Sequence, residues 1–345
     1  MAILATIGRS KMKLLPAATA ALLTLLTLTT GANAAETLTQ DAYARAQVMV
    51  DVGGRRLNLF CLGSGSPTVI FEAGSGRAGW DWFQVQPEVA KRTRACIYDR
   101  AGMGFSDPVT RPATAANAAK DLHFLLKNGR VPGPYVLVGN SYGAMVVQQF
   151  ALRPKADVAG LVLLDAQHED ELVRLDKLTN GGMSKGFAGI VDMDRACLAA
   201  AEKGFVPGSE LEQQCVFGSE EPFGPKLAAA AAAMKRKPSF WRANVSEAEN
   251  IFTVSAQQLR AARKSFGDLP LVSLTRGVSP YLVPGQPPSE TNKAIEAENK
   301  AMQDEVAALS KRGSNRVAEG AEHAIQLSKP QAVVEAVMQV LDMVK

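Results

Sequence analysis

The chain has 345 residues, 38 Lys+Arg against 34 Asp+Glu for a net charge of +4, 47% hydrophobic residues and four cysteines. Arg9, Lys11 and Lys13 fall within the first 34 positions and no acid does, so the remainder carries 35 basic against 34 acidic side chains, or +1. That balanced, interspersed charge excludes an electrostatic footprint for nucleic acid or an anionic membrane surface, and the length suffices for a large buried core.

The N-terminal basic residues precede an apolar stretch diluted by threonines, LLPAATAALLTLLTLTTG, and then Ala32-Asn33-Ala34. This is the pattern of an export signal over residues 1–34, cut after Ala34. The run is shorter and weaker than the ~20 strongly apolar residues of a spanning helix. No cysteine beside the cut offers a lipid anchor, and no twin arginine precedes the run. The expected location is therefore periplasmic or secreted, without a stable membrane anchor. In such a compartment an even cysteine count favours disulfides. Cys61 and Cys96 lie in two strand-like runs, and Cys197 and Cys215 lie together in a helical region, so the pairs 61–96 and 197–215 are expected.

From about residue 47, QVMVDVGG and RRLNLFCLG read as an antiparallel pair turned at Gly53-Gly54. PTVIFEAG follows as a continuous apolar run of the buried, parallel kind. A helix around WFQVQPEVAKRT precedes the strand ACIYD, and the helix AANAAKDLHFLLKNG precedes the strand YVLVG. AGLVLLD, LPLVSLT and a short NRVAEG supply three more strands before the amphipathic helix QAVVEAVMQVLDMVK. Strands separated by helices imply a doubly wound, mostly parallel eight-stranded sheet with helices on both faces and a site at the carboxyl ends of its strands. Residues 169–266 break the alternation with helix formers and no convincing buried strand. They predict a helical cap inserted between core segments 35–168 and 267–345.

Two stretches match G-x-S-x-G. Gly139-Asn140-Ser141-Tyr142-Gly143 follows YVLV and opens an amphipathic helix, giving the strand, elbow and helix that expose a nucleophilic serine. Gly182-Met183-Ser184-Lys185-Gly186 follows a helical stretch with no buried strand before it, so Ser141 is the expected nucleophile and Ser184 a chance match. A lone hydroxyl reacts poorly at neutral pH, so Ser141 needs a base to take its proton and a third group to orient that base.

Five segments, GSGSPTVIFEAGSG, ACIYDRAGMGFSDP, YVLVGNSYGAMVVQQFA, VAGLVLLDAQHED and GAEHAIQLSKPQAVVEAV, resemble in order those of the α/β-hydrolase superfamily, and more narrowly its exported bacterial serine hydrolases. The cap is least covered, so substrate identity does not carry over. The resemblance implies that the base is His323, after the last strand and before the last helix. His123 lies on the helix before the nucleophile strand, and His168 lies just after AGLVLLD. Most relatives place the acid after the strand corresponding to LPLVSLT, but here RGVSPYLVPGQPPSE follows, with no acid before Glu290. Asp165 ends the preceding strand at the same sheet edge, an arrangement that resembles pancreatic-type lipases, so Asp165 is the favoured acid and Glu290 the alternative. The resemblance also implies an oxyanion hole from the backbone N–H of Tyr142 and one from FEAGSGRAGW. In that loop the His-Gly usual in relatives is replaced by Ala73-Gly74, which makes Ser75 the second donor ahead of Gly76.

The expected activity is hydrolysis of a small-molecule carboxylic ester through an acyl-enzyme, with no metal or organic cofactor implied. An amidase, peptidase or lactonase could use the same residues. Serine at the elbow argues against the aspartate-based covalent mechanism of haloalkane dehalogenases and epoxide hydrolases. A ligand-binding protein on a hydrolase scaffold is the alternative from another class.

Overall fold

The computed structural model describes residues 40–217, 222–283 and 285–344; the export signal expected over residues 1–34 lies outside them. The strands are β1 (Val48–Asp51), β2 (Arg56–Leu62), β3 (Thr68–Glu72), β4 (Ala95–Tyr98), β5 (Tyr135–Asn140), β6 (Val158–Leu164), β7 (Leu271–Arg276) and β8 (Gly313–Ala318). They form one eight-stranded sheet in the order β1-β2-β4-β3-β5-β6-β7-β8. β2 is antiparallel to both β1 and β4, and every other neighbouring pair is parallel. The opening hairpin turns where expected. Gly53 and Gly54 take positive φ, and the Asp51 carboxylate accepts their N–H groups at 2.6 and 3.1 Å, a turn chemistry suited to aspartate and glycine.

The central strands are continuous apolar runs because both faces are covered. Along β5, Val136 and Val138 point to one hydrophobic cluster and Leu137 to the other. Helix α1 (Gln86–Ala90) contributes Val89 to the first cluster, whereas α2 (Ala115–Asn128) and α3 (Tyr142–Ala151) pack on the opposite face. Between β6 and β7 the chain departs into α4 (Glu171–Thr179), α5 (Gly182–Lys203), α6 (Glu210–Phe217), α7 (Pro225–Lys235), α8 (Pro238–Asn250) and α9 (Ala256–Ala262). A π-helical turn, Ile251–Ser255, joins α8 to α9. Helix α10 (Glu290–Ala307) follows β7, and after β8 come the short α11 (Ile325–Ser328) and the amphipathic α12 (Pro330–Met343), which joins the first cluster.

Both expected disulfides are present. Cys61 and Cys96 are directly opposite each other on β2 and β4, and Cys197–Cys215 ties α5 to α6. The second closes a short loop in a region with little sheet support, where such a link stabilises by about 3 kcal/mol in the chain-entropy treatment.

Candidate active site

β5 ends at Asn140 and α3 begins at Tyr142, leaving Ser141 at the bend with φ 53° and ψ −122°. A residue with a Cβ is held there only when its surroundings over-determine the conformation, and such positions cluster at functional sites. The clamp is visible: Ser141 N donates to Leu164 O at 3.0 Å, and Ser141 O accepts from Ala144 N at 2.9 Å and Gln167 N at 3.2 Å. The flanking glycines are required by space. A Cβ on Gly139 would lie 2.6 Å from Gly143 O, and one on Gly143 would lie 2.5 Å from Glu72 O, all backbone atoms that cannot swing aside.

The second G-x-S-x-G has none of this geometry. Ser184 sits in the first turn of α5, where its N–H and hydroxyl both donate to the Asp176 carboxylate, and a Cβ on Gly186 would meet nothing within 4 Å. Gly143→Ala should therefore lower unfolding stability by about 1–3 kcal/mol through overpacking. Gly186→Ala should be neutral, or stabilising by up to ~1 kcal/mol from helix propensity. Urea midpoints of the two variants check the contrast.

His323 lies between β8 and α11, and its backbone carbonyl accepts from Asn140 Nδ2 at 3.0 Å, so the residue before Ser141 tethers the histidine loop. Its Nδ1 is 2.5 Å from Asp165 Oδ2. Asp165 follows β6 with a side chain only 1% exposed, and it also accepts from Arg276 Nη1 at 2.9 Å and Asn299 Nδ2 at 2.9 Å. Burial alone would raise this carboxyl's pKa. The hydrogen bond from His323, the Arg276 guanidinium and Asn299 outweigh it and hold Asp165 well below the usual carboxylate range.

Arg276 ends β7, the position after which relatives were expected to carry the acid, and its remaining nitrogens bond Glu296 at 2.9 and 3.0 Å. Sequence reasoning missed both Arg276 and Asn299. The available signal for Arg276 was a lone charge closing the buried run LPLVSLT. Glu290 lies elsewhere, with a side chain 90% exposed and paired to Lys293 at the start of α10.

The other histidines stand apart. His123 is on α2, with its pKa lowered by partial burial and by Arg153 and Lys127. His168 is buried, with its pKa lowered chiefly by desolvation, and Arg263 Nη2 approaches its Nε2 at 3.2 Å. Glu169 and Asp170 beside it bond Arg263 and Arg260, so both carboxylates of this His-Glu-Asp cluster are already paired with arginines.

Ser141 and His323 line one cavity of about 620 Å³ together with Gly74, Ser75, Asn140 and Gln167. A hydrogen bond between the Ser141 hydroxyl and His323 is not among its contacts, and such bonds often tighten only when substrate binds. The N–H groups of Tyr142 and Ser75 are engaged by no acceptor among the described residues. That of Gly76 is taken, donating to Glu247 Oε2 at 2.9 Å, and the Ser75 hydroxyl bonds the same oxygen at 3.0 Å.

Glu247 comes from α8 in the insertion and is joined to the sheet by Arg100, after β4. The Arg100 guanidinium meets Glu247 at 2.7 and 3.1 Å, Glu72 at 2.6 Å, and the carbonyls of Ala73 and Gly74 at 2.6 Å each. All three charged side chains are buried. Burial works against the Arg100 charge, but Glu247 and Glu72 on either side keep it firmly protonated. Much of the apolar wall of the cavity comes from the helices between β6 and β7: Met183, Phe187 and Ile190 on α5, and Ile251 and Phe252 on the π-helical turn, a distortion often found at functional sites.

The sequence profile of the alpha/beta hydrolase family matches residues 69–336. The chain is 38% identical to the uncharacterized protein YqjL of Bacillus subtilis over 103 residues, 30% of this chain and 41% of that one. It spans less than half the length of the curated relatives it matches. Among solved structures, it superposes on the epoxide hydrolase CorEH with a TM-score of 0.58 and 16% identity, covering 87% of this chain and 98% of that one. It superposes on Est816, described as an N-acyl homoserine lactone degrading enzyme, with a TM-score of 0.55 and 17% identity, covering 85% and 99%. At such identities the likeness concerns the fold. The match over most of the chain, on a sheet of this order with Ser141 at its elbow, establishes that the chain belongs to the alpha/beta hydrolase family.

Proposed function

We propose that the chain is an exported serine hydrolase that cleaves a carboxylic ester through an acyl-enzyme. The observation that carries this reading is the His323 imidazole, braced by the buried Asp165 carboxylate and opening on the same cavity as Ser141 at its left-handed elbow. In this scheme Ser141 Oγ attacks the ester carbonyl carbon while His323 Nε2 takes the hydroxyl proton. The oxygen that gains charge is met by the N–H groups of Tyr142 and Ser75, each such donor being worth about 3 kcal/mol in the transition state. Collapse breaks the bond to the leaving alkoxide, which receives the proton from His323. Water then gives a proton to His323 and attacks the acyl carbonyl, and the proton returns to Ser141 as the acid departs. Asp165 stays ionised throughout, fixing the tautomer that leaves Nε2 free to accept.

Serine at the elbow also decides against epoxide opening of the kind named for CorEH. Attack of an alkoxide on an epoxide carbon would leave an ether that water cannot cleave, whereas a carboxylate nucleophile would leave a hydrolysable ester. Export rests on the N-terminal pattern and is supported by the two disulfides. Among the described residues no helix is long and apolar enough to cross a membrane.

Turnover of p-nitrophenyl esters of graded acyl length, beside amide and lactone panels, tests the reading. Ester cleavage is expected. Cleavage of amides or lactones instead would reassign the bond, and ligand binding by folded protein with no turnover would favour the binding-protein alternative.

In this scheme Glu247 is a positioning residue, because it fixes Ser75 and Gly76 from the insertion side while Arg100 fixes Ala73 and Gly74. Glu247→Gln should lower kcat by about 10- to 100-fold, less than loss of a direct oxyanion donor, with KM little changed. The Ki of a boronic acid that forms a tetrahedral adduct should weaken in parallel with kcat/KM. A variant that lost only stability would show a lower melting temperature with the Ki of its folded fraction unchanged.

A further inference from the structure

The basic and acidic side chains lining the cavity are Arg77, Glu171, Arg276 and His323. Three of them have counter-ions. Arg276 is held between Asp165 and Glu296, His323 bonds Asp165, and Arg77 pairs with Asp81. Glu171 has none among the described residues. Its Oε2 accepts from Gln167 Nε2 at 2.6 Å and, more weakly, from His168 N at 3.5 Å, while Oε1 has no hydrogen-bond partner among the described residues. Gln167 lines the cavity too, and with its amide nitrogen donated to Glu171, its carbonyl oxygen remains as a second acceptor.

Resting on the ester-hydrolase reading above, we propose that the cavity selects esters carrying an ammonium group, with Glu171 as its counter-ion and Gln167 as a second acceptor. The apolar remainder of such a molecule would lie against Met183, Phe187, Ile190 and Phe252 on the insertion side. The two cavity guanidiniums are committed to other carboxylates, Arg77 to Asp81 and Arg276 to Asp165 and Glu296. An anionic substrate would bring a second negative charge beside Glu171, with no uncommitted guanidinium or ammonium among the described residues of the lining to meet it.

Burial raises the Glu171 carboxyl to about 7, with Asp165 adding to the rise and Arg276 and His323 opposing it. Tyr281 also faces the group from beyond β7. Glu171 is thus ionised at mildly alkaline pH and protonated at mildly acid pH. Preference for a cation should therefore grow as pH rises through neutrality. A ratio of two substrates reads this cleanly, because pH effects common to both members of a pair divide out.

The test uses two matched pairs: ethyl 6-aminohexanoate against ethyl heptanoate for the acyl side, and 2-(dimethylamino)ethyl butyrate against 3,3-dimethylbutyl butyrate for the alcohol side. In at least one pair the cationic ester should be favoured about tenfold or more in kcat/KM at about pH 8, with the ratio shrinking at about pH 6. In Glu171→Gln and Glu171→Leu that ratio should fall to about one. Ratios near one in both pairs, or ratios that survive both substitutions, would overturn the proposal.

Calorimetric binding of hexylammonium chloride to Ser141→Ala, with and without Glu171→Gln, separates this failure from failure of the hydrolase reading. If no ester is turned over yet hexylammonium binds and the added Glu171→Gln weakens it about tenfold, the ammonium site stands and the hydrolase reading falls. If hexylammonium binding is absent or indifferent to Glu171→Gln, the ammonium site falls whatever the esters do.

Discussion

Replacing Ser141 with alanine should reduce ester turnover by about 10⁴- to 10⁶-fold in kcat, to the level that oxyanion donors and binding supply without a nucleophile. The fold should not suffer. Alanine keeps the Cβ that Ser141 already accommodates at φ 53°, and the backbone bonds to Leu164 O and from Ala144 N and Gln167 N do not involve the hydroxyl. Hydrolysis of p-nitrophenyl butyrate beside a thermal melt checks both halves. Ser184→Ala is the control: it should retain turnover and lose only the hydrogen bond from its hydroxyl to Asp176.

The second large effect belongs to Asp165. Asp165→Asn should cut kcat by about 10³- to 10⁴-fold, because an amide cannot hold the histidine tautomer whose Nε2 accepts the serine proton in the proposed scheme. Glu290→Gln should change it by less than about twofold, since that side chain is exposed and paired with the neighbouring Lys293. The reverse ranking would refute the assignment.

Stability carries an independent signature. A carboxyl whose folded pKa lies below its unfolded value of about 3.9 contributes stability that is complete above that value and is lost as pH falls through the folded one. Asp165→Asn should therefore be less stable at neutral pH, where Arg276 loses one of its two counter-ions. The acid limb of its stability curve should also be shallower than that of the wild type. Urea titrations from neutral to strongly acid pH check the sign.

The parts of this protein that are legible in sequence are those whose physics is local or periodic. Buried parallel strands need apolar residues on both faces, so TVIFE and LVSLTR announce themselves, and a strand that meets a helix through glycine, serine and glycine marks Ser141. Cys61 and Cys96 could be paired because each lay in a strand-like run, and β2 and β4 bring them opposite each other. Asp165 was reachable only as the acid at the neighbouring strand end.

The supporting groups were hidden because their partners lie far along the chain. Arg276 meets Asp165 across 111 positions, Asn299 meets it across 134, and Glu247 reaches Ser75 across 172. In SEAENIFTVS, Glu247 looks like one more solvated helix charge. Only the packing of α8 against the loop after β3 turns it into a buried acceptor beside Arg100. Arg276 carries a further lesson. The vacancy at the usual acid position was read as a missing carboxylate, and the structure places there a guanidinium that binds the carboxylate one strand away.

The central claim is that Ser141 is a nucleophile activated by His323. Its most direct test is incubation of the folded protein with a fluorophosphonate, followed by intact mass and peptide mapping. The account predicts one phosphonyl group per chain, carried on Ser141, that appears neither in Ser141→Ala nor, on the same timescale, in His323→Ala. Folded wild type that remains unmodified, or is modified on Ser184 or another serine, would contradict it.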